Sequence, residues 1–331
     1  MKRLVTSLAV LAVALPALAA GPKLGLSLPT QREERWVRDR QVMEAAAKKL
    51  GAELEVVVAD NDPAKQAAQC DALIAKGVKV LVLAPQDAAA AAGIVDRATR
   101  AGVRVVSYDR LVTNSPHDYL YLSFDNTRVG ELQAEYLARR VPKGAYVVLS
   151  GASTDSNAML FALGAMKVLK PLADRGDVKV VMDQSVKDWQ PAEARKLCEQ
   201  AVTAQKGAID AVLAPNDGTA GGCIQALAAH GLAGKVPVTG QDAEAAAAAR
   251  IVAGTQGMTV FKDTRELGRR AIEVAVALAE GRPVDTGGKV TSNGRRPVPS
   301  VLLAPVAVTK ENLDAVLVDS GYLKRAAVYG K

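Results

Sequence analysis

Residues 79–110, KVLVLAPQDAAAAAGIVDRATRAGVRVVSYDR, contain two apolar strand candidates that flank one helix candidate. The strand candidates are continuous runs of Val and Leu, whereas the segment between them has apolar residues at helical spacing. Continuous apolar strands separated by amphipathic helices are typical of parallel sheets that are covered by helices on both faces. The stretch therefore predicts an α/β fold, and its last strand candidate ends on the charged pair Asp109 and Arg110.

The same alternation of strand and helix candidates continues along most of the chain in two series. The strand candidates of the first series are LGLSLP, ELEVVVAD, KVLVLAP and VRVVSYD, and those of the second are YLYLSFD, YVVLSG, VKVVMDQ, AVLAP and VPVTGQ. Two series predict two similar doubly wound parallel-sheet lobes, joined by a multi-strand hinge around a cleft. We place the break in the polar stretch LVTNSPHDY, which gives an N-terminal lobe of residues 21–112 and 255–284 and a C-terminal lobe of residues 113–254 and 285–331.

The N-terminus has the features of a secretory signal peptide, residues 1–20. Lys2 and Arg3 are followed by the apolar run LVTSLAVLAVAL and by the small-x-small sequence Ala17-Leu18-Ala19. Without Lys2 and Arg3, the 42 basic residues become 40 against 35 acidic ones, so the formal charge falls from +7 to +5. This charge is spread along the chain without a basic block, which argues against a nucleic-acid partner. We expect a soluble, exported protein of two domains.

Cysteine and histidine are scarce. The three cysteines, Cys70, Cys198 and Cys223, lie in helix candidates, and we expect all three to be small buried residues without a disulfide. The alternative for an exported protein is one disulfide and one spare thiol. The only histidines are His117 and His230, and no Cys/His cluster is present, so the sequence predicts neither a metal site nor a cofactor.

Charged, amide and aromatic residues recur at the ends of the strand candidates or just beyond them. In an open α/β sheet, ligands bind at the carboxyl ends of the strands, so these residues are candidates for one binding site. Their three positive and three negative charges sum to zero, which suits a neutral ligand because buried charges must be paired or hydrogen-bonded. The candidate ligand-binding residues are Arg35, Trp36, Asp109, Arg110, Asp155, Asn157, Trp189, Asn216, Asp242 and Lys262.

The chemistry of this set matches a sugar. Carboxylates and side-chain amides offer pairs of donors and acceptors that fit adjacent hydroxyls of a sugar ring, and hydrogen bonds to charged partners are the strong kind. Trp36 and Trp189 lie in predicted loops, where their flat faces would sandwich the C–H faces of the ring. The residues by themselves therefore predict a neutral, hydroxyl-rich ligand of the size of a monosaccharide.

Most of these residues also have a purely structural interpretation. Asp155, Asn157 and Asn216 precede helix candidates and would serve as N-caps, the commonest use of Asp and Asn there. Asp109 and Arg110 would form an ion pair that fixes the hinge, and Trp36 would anchor the start of a helix on the core. The case for a binding site depends on the co-occurrence of these residues at one edge of the sheets.

Several of the same stretches carry a family resemblance. They are ERWVRDR (34–40), SYDR (107–110), YLSFDNTRVGELQA (121–134), APNDGTAGGCIQAL (214–227), TGQDAE (239–244) and AGTQGMTVFK (253–262). Over nearly the whole mature chain, the sequence resembles the type I periplasmic sugar-binding proteins of ABC transporters, and among them most closely those that bind D-xylose. The resemblance implies a monomer in the periplasm, D-xylose or a related pentose as ligand, a permease partner in the inner membrane, and ligand contacts at the ten residues named above.

Two other functions compete with this prediction. A sugar-binding protein of this kind can also serve a chemotaxis receptor or a sensor kinase, and the sequence does not separate sensing from transport. A carbohydrate-active enzyme would use Asp155 and Asp242 as its carboxylate pair. However, the set has no histidine and no nucleophile beside a base, and three neighbouring cations are expected to lower the pKa of its carboxylates. We therefore expect a binding protein rather than an enzyme.

Overall fold

The computed structural model describes residues 21–330, so the predicted signal peptide lies outside the described residues. The strands are β1 (Lys23–Leu28), β2 (Glu53–Val58), β3 (Val80–Leu83), β4 (Arg104–Tyr108), β5 (Leu120–Phe124), β6 (Gly144–Ser150), β7 (Val178–Ser185), β8 (Ala211–Leu213), β9 (Thr259–Phe261), β10 (Val290–Ser292), β11 (Pro297–Leu303) and β12 (Val306–Val308). The helices are α1 (Glu34–Lys49), α2 (Pro63–Ala75), α3 (Ala92–Arg100), α4 (Asn126–Arg140), α5 (Ser156–Asp174), α6 (Pro191–Ala204), α7 (Asp217–Ala229), α8 (Ala245–Val252), α9 (Thr264–Ala279) and α10 (Arg325–Tyr329).

The first lobe is built on a seven-stranded sheet with the order β10-β11-β5-β4-β3-β1-β2. Every neighbouring pair is parallel except β10 and β11. The interior strand β3 is fully buried, as its unbroken run of Val and Leu predicts. Helices α1 and α9 pack on one face of this sheet, and α2 and α3 cover the other.

The second lobe contains the parallel strands β7-β6-β8 and the antiparallel pair β9 and β12. Residues 237–241 connect the two groups, since Val238 bridges to β8 and Gln241 bridges to β9. Helices α4 and α5 cover one face, and α6 and α7 cover the other. The chain thus forms the two covered α/β lobes that the sequence predicts.

The chain crosses between the lobes three times, but at positions other than the predicted lobe boundaries. The crossings lie between β5 and α4, between β9 and α9, and between β11 and β12. The predicted break at residue 113 is wrong, since β5 pairs with β4 in the first sheet. The break looked like a domain boundary because LVTNSPHDY is polar, but it is a loop between neighbouring strands. Likewise, β9 belongs to the second lobe, whereas β10 and β11 belong to the first.

The cysteines also differ from the prediction. Cys198 on α6 and Cys223 on α7 form a disulfide with a Cα–Cα distance of 5.3 Å, and Cys70 is a buried free thiol. The two helices pack closely at Gly222 of α7, which has no side chain. A Cβ atom at this position would lie 2.1 Å from the carbonyl oxygen of Pro191 at the start of α6. This close packing brings together two thiols that are 25 residues apart in sequence.

Within residues 21–330, no helix has the length and apolar character needed to span a membrane.

A candidate sugar site between the two lobes

All ten predicted ligand-binding residues line one cavity between the lobes. The empty space among these residues is about 320 Å³, a value that includes space open to solvent. Three further residues that the sequence analysis did not select, Glu33, Phe161 and Gln241, also line it. Within the described chain, there is no group of three or more His, Cys, Asp or Glu side chains placed to hold a metal ion.

Arg35, on the first turn of α1, connects carboxylates from both lobes. Its Nη2 lies 2.8 Å from Asp109 Oδ1 and 3.1 Å from Asp39 Oδ2, and its Nη1 lies 3.7 Å from Asp242 Oδ1. Asp109 follows β4 of the first lobe, whereas Asp242 follows the segment that bridges to β9 of the second. Arg35 therefore provides positive charge where the carboxyl ends of the two sheets meet.

The environment of Asp109 keeps it ionised. Burial alone would raise the pKa of Asp109, but the charges of Arg35, Lys262 and Arg110 outweigh it, and the pKa lies below its usual value. Asp39, which pairs with the same Arg35 guanidinium, differs from Asp109. Burial raises the pKa of Asp39 to about 6, although Arg35 and Tyr108 act to lower it. The lowered pKa of Asp109 is what the sequence analysis expected of a carboxylate among cations.

Lys262 lies at the second crossing between the lobes and is 2% exposed. Its Nζ is 3.3 Å from Asp242 Oδ1 and 3.9 Å from Asp109 Oδ1. Although these two carboxylate oxygens lie within ion-pair distance of cations, neither accepts a hydrogen bond of good geometry from any described residue. Both are therefore available as acceptors for a ligand hydroxyl.

Asp155 joins three other members of the site. Its Oδ2 lies 2.8 Å from Arg110 Nε and accepts a hydrogen bond from Trp189 Nε1 at 3.1 Å, and its Oδ1 caps α5 by accepting from the amide of Asn157. Burial raises the pKa of Asp155 despite the lowering effect of Arg110. The expectation that neighbouring cations would lower the pKa of all three carboxylates is therefore wrong for Asp155, because desolvation dominates there.

The two asparagines show that capping and lining the cavity do not exclude each other. Asn216 is the N-cap of α7, where its Oδ1 accepts from the amide of Thr219 at 3.0 Å, and it also lines the cavity. Asn157 lies inside α5 rather than at its cap. Its Nδ2 donates to Asp109 Oδ2 at 3.2 Å, while its Oδ1 accepts from Asn126 Nδ2 at 2.9 Å, so its amide orientation is fixed.

Both tryptophans lie against the cavity and are buried. Trp36 packs into the core of the first lobe as well, with the guanidinium carbons of Arg35 and Arg110 at 4.5 and 5.3 Å from its ring centroid. Trp189 packs edge-on against Phe161, with the ring centroids 6.3 Å apart. The sandwich of a sugar between the two indoles stays a prediction.

Three site residues have backbone conformations that are rare for residues other than glycine. The φ angles are +60° at Asp109, +57° at Trp189 and +94° at Asp242. Such conformations are unfavourable by about 1–3 kcal/mol each and persist where the surrounding structure enforces them, often at ligand sites. All three residues line the cavity, and the sequence pattern does not predict their backbone conformations.

The three further lining residues have sequence patterns that give little indication of a binding role. Phe161 lies in the second turn of α5, where an aromatic residue at helical spacing indicates core packing. Gln241 directly precedes Asp242 at a strand end, so it satisfied the criterion that selected the other residues. Glu33 belongs to the charged run REER, which is typical of a solvated helix start.

Comparison with known proteins identifies the class of this fold and site. Residues 24–283 match the family model described as a periplasmic binding protein domain, and the chain belongs to that family. It is 44% identical over 306 residues to the D-xylose-binding periplasmic protein of Escherichia coli strain K12, covering 92% of each chain. It is 42% identical over 307 residues to the protein of that name from Haemophilus influenzae, covering 93% of this chain and 92% of the relative.

A solved structure shows the same fold. A carbohydrate transporter solute binding protein of Chloroflexus aurantiacus, in complex with D-glucose, superposes with a TM-score of 0.85 at 36% identity, covering 92% of this chain and 97% of the other. The type I periplasmic sugar-binding fold and the family resemblance predicted from the sequence motifs are therefore confirmed.

Proposed function

We propose that this protein captures D-xylose in the cleft between its lobes and delivers it to the permease of an ABC transporter in the inner membrane. The observation that carries the proposal is the convergence of all ten predicted ligand-binding residues on one cavity. The D-xylose-binding names of two relatives above 40% identity support the choice of sugar. Residues 1–20 would direct the chain to the periplasm, where it would act as a monomer.

The charge of the site supports a neutral ligand. Arg35, Arg110 and Lys262 face the carboxylates of Asp109, Asp155 and Asp242 at 2.8–3.9 Å. A sugar adds no charge to this balanced set, whereas an anionic ligand would compete with the carboxylates for the same cations. The Oδ1 atoms of Asp109 and Asp242, which accept no hydrogen bond from a described residue, would accept hydrogen bonds from sugar hydroxyls.

The closed cleft supports capture by closure. Contacts cross between the lobes at its edge, where the amide of Ala88 donates to the carbonyl of Thr154 at 2.9 Å, and in its interior, where Arg110 pairs with Asp155. A sugar held by both lobes favours the closed state by its combined contacts, which is a shift of population. The permease would then bind the closed form.

Calorimetry on the purified mature protein tests the proposal. We expect Asp109→Ala and Asn216→Ala each to weaken D-xylose binding at least tenfold, about 1.4 kcal/mol. Asp62→Ala is the matched control for Asn216, because Asp62 caps α2 through its carboxylate but is not among the residues that line the cavity. Titrations with ribose, arabinose, galactose and glucose would establish the selectivity. A protein that binds none of these sugars would refute the proposal.

One relative favours a sensing role as the second candidate. The chain is 37% identical, over 93% of its length, to the multiple sugar-binding periplasmic receptor ChvE of Rhizobium radiobacter. Uptake of labelled xylose by cells that lack the gene separates the two roles. A transport protein is required for uptake, whereas a sensor protein would leave uptake by other systems intact and abolish the response to the sugar.

A further inference from the structure

We propose that Glu33 contacts the bound sugar directly and that its carboxylate, held in place by Arg32, accepts a hydrogen bond from one sugar hydroxyl. This inference rests on the proposed sugar-binding function and adds a specificity-determining residue to the ten residues of the predicted site. Glu33 precedes α1 and lies two residues before Arg35.

The first observation is an unsatisfied oxygen at the cavity. The Glu33 side chain lines the cavity and is 10% exposed, and its Oε2 is buried without a hydrogen-bond partner among the described residues. A buried carboxylate oxygen that lacks a donor is strongly unfavourable. Since Glu33 lines the cavity, we infer that a ligand in the cavity supplies the donor.

The second observation is that the local structure does not use this side chain for helix capping. Glu33 occupies the N-cap position of α1, but its side chain makes no capping hydrogen bond, and only its backbone carbonyl accepts, from the amide of Trp36 at 3.1 Å. The other carboxylate oxygen, Oε1, accepts from Arg32 Nε at 3.1 Å. Arg32 thus holds one oxygen and leaves the second for the cavity.

The third observation ties Glu33 to closure of the cleft. Arg32 Nη2 also donates to the carbonyl of Asp188, in the second lobe, at 2.5 Å. Asp188 directly precedes Trp189, which lines the opposite side of the cavity. The same guanidinium therefore contacts Glu33 and the loop that carries Trp189, so it fixes the Glu33 carboxylate when the lobes are closed.

The chemistry of the ligand group follows from these contacts. A carboxylate only accepts hydrogen bonds, so the partner must be a donor, and a sugar hydroxyl supplies one. The Arg32–Glu33 pair is neutral overall, so the balanced charge of the cavity is unchanged. A sugar that lacks a hydroxyl at the contacted ring position would leave Oε2 unpaired, and such a site discriminates strongly against it.

Calorimetric titration of the full mature chain with D-xylose tests the inference. We expect Glu33→Leu, which removes the acceptor, to weaken binding at least tenfold, and Glu33→Gln, which keeps one acceptor oxygen, to weaken it less. Glu44→Gln is the matched control, because Glu44 pairs with Arg40 at 2.8 Å on the same helix but is solvent-exposed. We expect the control to bind like the parent protein, and all variants to melt within a few degrees of it without sugar.

Monodeoxy analogues of xylose then distinguish contact from positioning. One analogue is expected to bind the parent protein at least tenfold more weakly than xylose, and to bind Glu33→Leu as well as xylose does. A Glu33→Leu protein that binds xylose like the control refutes the inference, as does an equal loss for every analogue. If Glu33→Leu does not fold, the same comparison is made with Glu33→Gln. Failure of the parent protein to bind any sugar refutes the proposed function instead.

Discussion

Glu34 accepts a hydrogen bond from the backbone amide of Ala245, with an N···O distance of 3.2 Å, and this contact joins α1 of the first lobe to the start of α8 in the second. It places the Glu34 carboxylate beside a group of buried acids in the second lobe. Burial, together with Asp217, Asp242 and Glu34, raises the pKa of Glu244 to about 8, although Arg250 acts to lower it. Burial likewise raises the pKa of Asp217 to about 7.

These raised pKa values predict that stability depends on pH. Because the pKa of Glu244 is raised from 4.5 to about 8 in the folded protein, the folded state binds this proton more tightly than the unfolded state. The associated stability is complete below pH 4.5 and is lost as the pH rises through about 8. Glu244→Gln, which cannot ionise, is expected to match the parent protein near pH 5 and to exceed it at pH 8.5 by about 1 kcal/mol or more in the free energy of unfolding.

Urea unfolding at both pH values checks this prediction. Glu199→Gln provides the control, since Glu199 is exposed on α6 and pairs with Arg195 at the surface. Parallel pH profiles for Glu244→Gln and the parent protein would contradict the raised pKa.

The intrinsic fluorescence of the protein is expected to report sugar binding directly. Trp36 and Trp189 are the only tryptophans in the chain, and both line the cavity. Trp36→Phe and Trp189→Phe each leave one indole, and we expect saturating sugar to change the emission of both variants. Trp189→Phe also removes the hydrogen bond to Asp155, so it should weaken binding several-fold. If the Trp36→Phe variant binds sugar but its emission does not change, Trp189 does not contact the bound sugar.

Gly151 is expected to be essential for the position of Trp189. A Cβ atom at Gly151 would lie 2.1 Å from two atoms of the Trp189 ring, so Gly151→Ala must displace the indole. We expect sugar binding to weaken at least tenfold, as measured by calorimetry. Gly93→Ala on α3 is the control, because its added Cβ meets only the flexible end of Arg97, at 3.3 Å. Equal affinities of Gly151→Ala and Gly93→Ala for the sugar would show that binding does not depend on the position of the Trp189 indole.

The disulfide between Cys198 and Cys223 is expected to stabilise the second lobe. It closes a loop with a sequence separation of 25, for which the loss of chain entropy in the unfolded state corresponds to about 3.5 kcal/mol. In urea unfolding, the free energy of unfolding of the double variant Cys198→Ala/Cys223→Ala should be lower than that of the parent protein by about this amount. A reducing agent should lower the free energy of unfolding of the parent protein to a similar extent. Cys70→Ala, which removes the free thiol, should keep its sensitivity to the reducing agent. A parent protein whose unfolding is insensitive to reduction would contradict the assignment.

Much of the site could be predicted from the sequence because parallel strands place their carboxyl ends at one edge. Asp109 follows β4, and Asp242 follows the segment beside β9, so strand order alone brings them toward a common cleft. The N-cap interpretation was right for Asp155 and Asn216, yet both also line the cavity. The local sequence pattern thus predicted which residues matter, but it could not distinguish helix capping from lining the cavity.

The remaining features depend on contacts between residues that are distant in sequence. Local periodicity could not show that β5 pairs with β4, that Cys198 meets Cys223, or that burial raises the pKa of Asp155. The proposed role of Glu33 could not be predicted from the pattern, because it depends on Arg32, which contacts both Glu33 and the carbonyl of Asp188 in the opposite lobe. Each of these features is set by the three-dimensional neighbourhood, which periodicity does not encode.

The sequence by itself determined the α/β class, the two lobes and ten of the thirteen residues that line the cavity, since apolar periodicity and strand-end chemistry are local properties of the chain. Only the tertiary structure decided where the chain crosses between the lobes, which acid pairs with which cation, and which carboxylate oxygens are left without a donor. The physical reason is that hydrogen-bond geometry and desolvation depend on atoms from several elements at once, within a few ångströms of one another.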